Sequence, residues 1–246
     1  MRYNTGMTDL ALHSPPADPF AQLNARGLNL QAVFNVRDLP AGLLDGLSAQ
    51  ERNHRQLLLI GHGGTLLWQQ LALHGMKGEH PVDTFSREQV AAWLDQEHAR
   101  NAYRIVYPGP AAIGLQRLGM LAGWHHASPF MVGINQDWGS WFAYRVVVLA
   151  DTDFAPTPPL KTPSPCSQCA SRVCVSQCPA QALVPEFDLQ ACMNYRLRPD
   201  SGCRDRCLAR NSCPVGDAHR YCDAQIGYHY GRSMRMIEKL ADDKRP

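Results

Sequence analysis

No cysteine occurs in the first 165 residues of this 246-residue chain; all nine fall between Cys166 and Cys222. A fold stapled by disulfides would spread them, so a metal or cluster site confined to one segment is the better expectation. No run of 18 apolar residues exists, and no membrane-spanning helix or membrane partner is expected. The N-terminal MRYNTGMTDLALHSPPADPF contains no apolar h-region, so a secretory signal is not expected either. A reducing, cytoplasmic compartment follows, in which thiols ligate metals more readily than they form disulfides. An excess of one charge sign is also missing. The net charge is +2, which gives no general electrostatic case for nucleic acid. Finally, GHGGT at 61–65 has neither a Walker lysine nor GxGxxG spacing. It reads as a tight turn rather than a phosphate loop, although its amides could help hold a ligand at a helix start.

What is present fits a soluble globular chain, 45% hydrophobic and 19% charged, long enough for one domain with an appended module. The charge is unevenly placed: residues 161–246 carry a net +4 and residues 1–160 a net −2. Anionic clusters in the basic part, or an acidic partner, would account for that. PTPPLKTPSP at 156–165 holds five prolines in ten residues and marks the clearest boundary. The expected organisation is a flexible N-terminal arm (1–26), an α/β domain (27–155), a proline-rich linker (156–165), a cysteine-rich module (166–222), and a C-terminal helix and tail (223–246). Within the α/β domain, strands are expected at 27–36, 55–60, 103–107 and 141–150. Helices are expected at 41–47, 65–73, 87–99 and 111–122, the third opened by a capping box at Ser86. His125 and His126 are adjacent, point apart, and read as turn histidines rather than a ligand pair. Arg145 is the odd residue in an otherwise apolar strand. A guanidinium there needs an anionic or hydrogen-bonding partner, making it a binding candidate or half of a structural ion pair.

The cysteines form two runs. The first is Cys166-x2-Cys169-x4-Cys174-x3-Cys178-Pro179; the second is Cys192, then Cys203-x3-Cys207-x5-Cys213-Pro214. Closely spaced cysteines ending in Cys-Pro are the signature of ferredoxin-type [4Fe–4S] ligation. In two-cluster ferredoxins the last cysteine of each run serves the other cluster. One set is then Cys166, Cys169, Cys174 and Cys213, and the other Cys178, Cys192, Cys203 and Cys207, with Cys222 left over. The spacing is wider than C-x2-C-x2-C-x3-C-P, more so in the second run, so one or two clusters are possible. Zinc and disulfides stay open as alternatives, although zinc knuckles favour paired C-x2-C and only Cys166/Cys169 supply one.

Two groups of segments carry a family resemblance. AGWHHASPFMVGINQDWGSWFAYRVVVLADTDF (122–154), the prolines after it and CSQCASRVCVSQCPAQAL (166–183) resemble epoxyqueuosine reductase. HPVDTFSREQV (80–90), WFAYRVVVL (141–149) and HRYCDAQIGYHY (219–230) resemble the vitamin B12 trafficking and decyanation protein of the methylmalonic aciduria type C family. Reductive dehalogenases are more distant relatives of the same kind. The resemblance implies an α+β chain, with a flavin-nitroreductase-like α/β sandwich followed by a ferredoxin-like iron–sulfur module. It further implies a corrinoid (cobalamin) or flavin-like pocket fed with electrons by the clusters. Arg145 matches the arginine that takes part in glutathione binding in the trafficking family, and Arg210 is a weaker match to a second arginine; Trp141 and Arg145 would line the cofactor pocket. An electron donor such as a flavodoxin or ferredoxin reductase is implied as partner. The chain departs from epoxyqueuosine reductase at Val106-Tyr107-Pro108-Gly109, where no carboxylate stands in the proton-donor position, and in lacking the helical-repeat extension used with tRNA. Reduction of epoxyqueuosine is therefore not expected. An iron–sulfur oxidoreductase is the leading expectation. The alternatives are a non-catalytic electron carrier or corrinoid chaperone, or a structural protein with a degenerate or zinc-bound module.

Overall fold

The structure is a computed structural model that describes residues 18–158 and 161–243. The chain is α+β, built on a four-stranded antiparallel sheet: β1 (Leu30–Asn35), β2 (Gln56–Gly63), β3 (Tyr103–Tyr107) and β4 (Phe142–Ala150), in the order β1-β2-β4-β3. The helices in chain order are α1 (Ala21–Ala25), α2 (Leu66–His74), α3 (Pro81–Glu97), α4 (Leu115–Leu121), α5 (Val173–Ser176), α6 (Leu189–Leu197), α7 (Leu208–Asn211) and α8 (Asp223–Asp242).

Successive strand residues face opposite sides, and both sides of this sheet are covered. Leu58, Ile60, Val146 and Val148 pack with Leu67, Leu71, Phe85, Val90, Trp93 and Leu94 of α2 and α3. Leu57, Leu59, Val147 and Leu149 pack on the other side with Leu118 of α4 and with Leu43, Leu44 and Leu47. β2 is buried along its whole length, which explains its unbroken apolar run.

The alternation breaks once, at a bulge. Ile60 pairs with Val146 and Gly61 with Tyr144, so Arg145 is the extra residue in β4. Phe142 and Tyr144 consequently join the α4 side while Val146 and Val148 lie on the α2/α3 side. A bulge re-aims the side chain it carries, and here that side chain is a guanidinium.

Several element boundaries differ from expectation. Residues 41–47 form successive turns, with Leu43 N–H donating to the Pro40 carbonyl and Leu47 N–H to that of Leu44. Gly42 at φ +80° turns the chain out of a helical path. β2 runs on through Gly61-His62-Gly63, and only Gly64, at φ +71°, makes the turn into α2. α3 opens at Pro81, six residues before the expected start. Ser86 lies inside it, fully buried, its hydroxyl donating to the Val82 carbonyl rather than capping anything. α1 falls within the segment expected to be an arm, and its Leu23 is buried in the core. Residues 1–17 of that arm lie outside the described residues.

The cysteine-bearing segment packs its own small core, in which Cys174 and Cys213 join Phe130, Ile134, Leu183 and Ala209. Asp188 caps α6 by accepting from the Ala191 N–H at 2.9 Å, and the Cys207 sulfur caps α7 by accepting from the Arg210 N–H at 3.4 Å. α8 buries Ile226, Met234 and Ile237 on one stripe; Tyr228 in its first half joins the α2/α3 core, and Met236, Ile237 and Leu240 in its second half lie against the cysteine-bearing segment. The two parts approach closely where Gly139 (φ +57°) lies against Gly216 (φ +66°). A Cβ at either would fall on the other's backbone or on that of its neighbour Val215.

Candidate metal centres

All nine cysteines are free thiols. Eight of them fall into two groups in space. The Cys166 thiol is pushed up by burial and by the charges of Cys213, Cys174 and Cys169. Cys174 and Cys213 are raised by burial first and by members of that same set. Cys192 is raised by burial, then by Cys207, Cys178 and Cys203; Cys203 is raised by burial and by Cys207 and Cys178. Cys169 is lowered instead, by a hydrogen bond with the Ser171 hydroxyl.

Each set surrounds its own space. Cys166, Cys169, Cys174 and Cys213 line a cavity of about 340 Å³. Cys178, Cys192, Cys203 and Cys207 line a second one, also about 340 Å³. The long Cys169-x4-Cys174 interval is absorbed by a turn at Arg172, which adopts φ +39° immediately before α5. Among the described residues no three Cys, His, Asp or Glu side chains converge as the ligands of a single ion do. Thiolates on one zinc stand ~3.8 Å apart, as tetrahedral bonds of about 2.3 Å require. Cys222, at the start of α8, is exposed and lines neither cavity.

Between the second cysteine set and the sheet lies a buried layer of arginines and aromatic rings. Arg196 of α6 is 8% exposed and lines the second cavity. It donates to the carbonyls of Cys203 (3.0 Å) and Tyr230 (3.2 Å) and to the Ser233 hydroxyl (3.0 Å). Arg210 of α7, also 8% exposed, donates to the Ser140 carbonyl at 2.6 Å and to its hydroxyl at 3.2 Å. Its guanidinium lies 4.4 Å from the centre of the Trp141 ring and 5.4 Å from that of Tyr221. Trp141 is 0% exposed.

At the bulge, Arg145 Nε donates to His62 Nδ1 at 3.0 Å. His62 Nε2 must then carry the ring proton, and it faces the Tyr221 hydroxyl at 3.0 Å. Burial first, then Arg145, His229 and Arg210, hold His62 well below its usual range. His229 is pushed down to about 3 by burial and by Arg145, Arg210 and Arg232. Tyr230 is pushed up to about 12 by burial and the neighbouring Cys207. The interior here is cationic and both histidines are neutral.

The sequence-derived residues therefore fall into two places. The eight cysteines form two sets of four. Trp141, Arg145 and Arg210 meet in the buried layer, but Trp141 and Arg210 cover one another, and only Arg145 remains partly open. His62, Arg196 and Tyr221 were not picked out individually. Tyr221 lay inside the HRYCDAQIGYHY segment, His62 carried the signal of a polar residue in a buried run, and Arg196 had no sequence signal. His125 contacts the Tyr144 hydroxyl at 3.0 Å and His126 contacts Thr162 at 3.3 Å, so the pair share no ligand position.

No family model and no curated protein matches the chain. Among solved structures, an epoxyqueuosine reductase bound to an epoxyqueuosine-modified tRNA-Tyr stem loop superposes with a TM-score of 0.51 at 13% identity, covering 85% of this chain and 67% of that one. The chain shares the fold of epoxyqueuosine reductase. The epoxyqueuosine reductase of Streptococcus thermophilus superposes with a TM-score of 0.49 at 12% identity, over 80% of this chain and 66% of that one. A reductive dehalogenase described as B12-dependent gives 0.49 at 14% identity, over 86% and 33%. The chain thus spans about two thirds of the length of these epoxyqueuosine reductases and a third of the dehalogenase.

The donor set suits iron–sulfur clusters: soft thiols in fours, each four around a separate cavity, with the buried Arg196 guanidinium beside the second. A corrin ring is a different matter. With the Trp141 face covered by Arg210 and no Trp141 surface open, these two residues leave no room for a planar ligand between them.

Proposed function

We propose that this protein is an iron–sulfur oxidoreductase whose two cysteine sets each hold one [4Fe–4S] cluster. The observation that carries the reading is the crosswise segregation of the thiols, in which Cys213 of the second run joins the first set and Cys178 of the first run joins the second. Such clusters supply one-electron transfer. The chain's own residues bury Cys174, Cys203 and Cys213, hold Cys207 by the Arg210 N–H, and join the second set to the sheet through Tyr230, Tyr221 and His62. A ferredoxin-like module appended to a nitroreductase-like sheet is the corresponding architecture, and an external low-potential electron donor such as a flavodoxin or ferredoxin reductase is the corresponding partner. Anaerobic purification tests the reading: about eight irons per chain are expected. A colourless protein containing zinc would overturn it.

A corrinoid acceptor is a second reading, favoured by Arg145. Its guanidinium is partly open at the bulge and makes no ion pair among the described residues. Titration with cob(II)alamin should shift the corrinoid spectrum on binding. An unchanged spectrum leaves the chain as an electron carrier without a corrinoid.

A further inference from the structure

The two cysteine cavities differ in the charge built around them. The first is lined by Arg172, which is exposed, and by Glu186, of opposite sign. Arg220, near Cys213, is also exposed and is paired with Asp217. The second is lined by Arg196 and Arg206, with no carboxylate in its wall. Arg206 is neutralised by Asp205 at 3.0 Å. Arg196 is not: all its hydrogen bonds go to carbonyls and a hydroxyl, and among the described residues no carboxylate lies within ion-pair distance. A guanidinium buried this deeply without an anion is costly; its hydrogen bonds and the Tyr230 ring offset part of that cost, and a negative group in the cavity would offset more.

We propose that Arg196 is the counter-ion of the cluster held by Cys178, Cys192, Cys203 and Cys207, and that it makes this cluster the first of the two to accept an electron. This rests on the iron–sulfur reading above. A four-iron core with four thiolates is anionic, and reduction from the 2+ to the 1+ core adds one more negative charge. A buried positive charge in the cavity wall stabilises that reduced state more than the oxidised one. The Arg210 N–H on the Cys207 sulfur acts in the same direction. The electron comes from an external low-potential reductant, dithionite in the test below; no bond forms or breaks in the protein.

The test is a dithionite titration of the anaerobically purified full chain, followed by electron paramagnetic resonance, with iron counted in every sample. Wild type should show two reduction waves. Cys169→Ser, which removes a ligand of the first set, should retain the higher-potential wave. If that variant retains the lower wave instead, the proposal is wrong, whatever other variants do. Arg196→Gln should keep its iron and shift the higher wave downward, by roughly tenfold or more in the reduced-to-oxidised ratio at fixed potential. Arg196→Lys should restore much of the shift. Ser233→Ala removes one Arg196 hydrogen bond but leaves the charge, and should leave the wave in place. An Arg196→Gln protein with full iron and an unmoved wave overturns the proposal, as does a shift of equal size in Ser233→Ala. Wild-type protein without iron would instead defeat the iron–sulfur reading itself.

Discussion

Stability should fall as the pH drops below about 6.5, because His62, buried, and His229, half-buried, stand neutral beside arginines. The perturbation is acidification, and His229→Gln is the control. His229 is held at about 3 in the folded protein, against 6.5 for the free side chain. A group whose folded pKa is depressed contributes stability that is complete above its unfolded value and is lost as pH falls towards the folded one. For His229 the window runs from about 6.5 down to about 3. Between pH 7 and 5.5 the unfolded chain takes up most of one proton that the folded chain refuses, which is worth about 1 kcal/mol. His62 adds to the loss with the same sign, since its protonation would set a second N–H against the Arg145 Nε–H. Anaerobic urea titrations at several pH values would measure this. Any acid lability of metal sites is common to both proteins, so the difference in slope isolates His229. His229→Gln should lose about 1 kcal/mol less than wild type over that interval. Parallel losses in the two proteins would show that the interior around Arg145 and Arg210 is not cationic as described.

Three further outcomes follow from the geometry. Gly216→Ala meets the Gly139 backbone at a φ of +66° and should destabilise by about 2–4 kcal/mol in urea; an unchanged midpoint would mean the two parts do not approach so closely. Arg145→Ala leaves a buried His62 acceptor without its donor, costing about 1–3 kcal/mol with iron content unchanged, whereas loss of iron would make Arg145 a support of the clusters. Cys222→Ser should keep full iron, because Cys222 is exposed and outside both cavities; loss of iron would place it among the ligands.

The sheet was legible because its strands advertise themselves. Tyr103–Tyr107 matches the expected range, and Phe142–Ala150 and Leu30–Asn35 differ from it by one to three residues at an end. The boundaries that moved did so for tertiary reasons. Gly61 and Gly63 read as turn residues but continue β2, since the absence of a side chain lets Trp124 and Trp138 lie against the strand. Ser86 looked like a cap until the helix was found to begin at Pro81. The grouping of eight cysteines around two cavities follows the order of the two runs with their Cys-Pro endings, and the long interval in the first run is taken up by the turn at Arg172. The bulge at Arg145 was not readable, because nothing in WFAYRVVVLA marks which residue is extra. Nor was Arg196, whose importance comes from the lack of a carboxylate around it in three dimensions.

The central claim is that two crosswise sets of thiols hold two clusters, and iron counting on anaerobically purified Cys166→Ser and Cys192→Ser tests it most directly. Wild type should contain about eight irons and each variant about four, with the remaining signal differing between the two variants. Zinc in place of iron, or a single substitution that abolishes all iron while the protein stays folded, would contradict it.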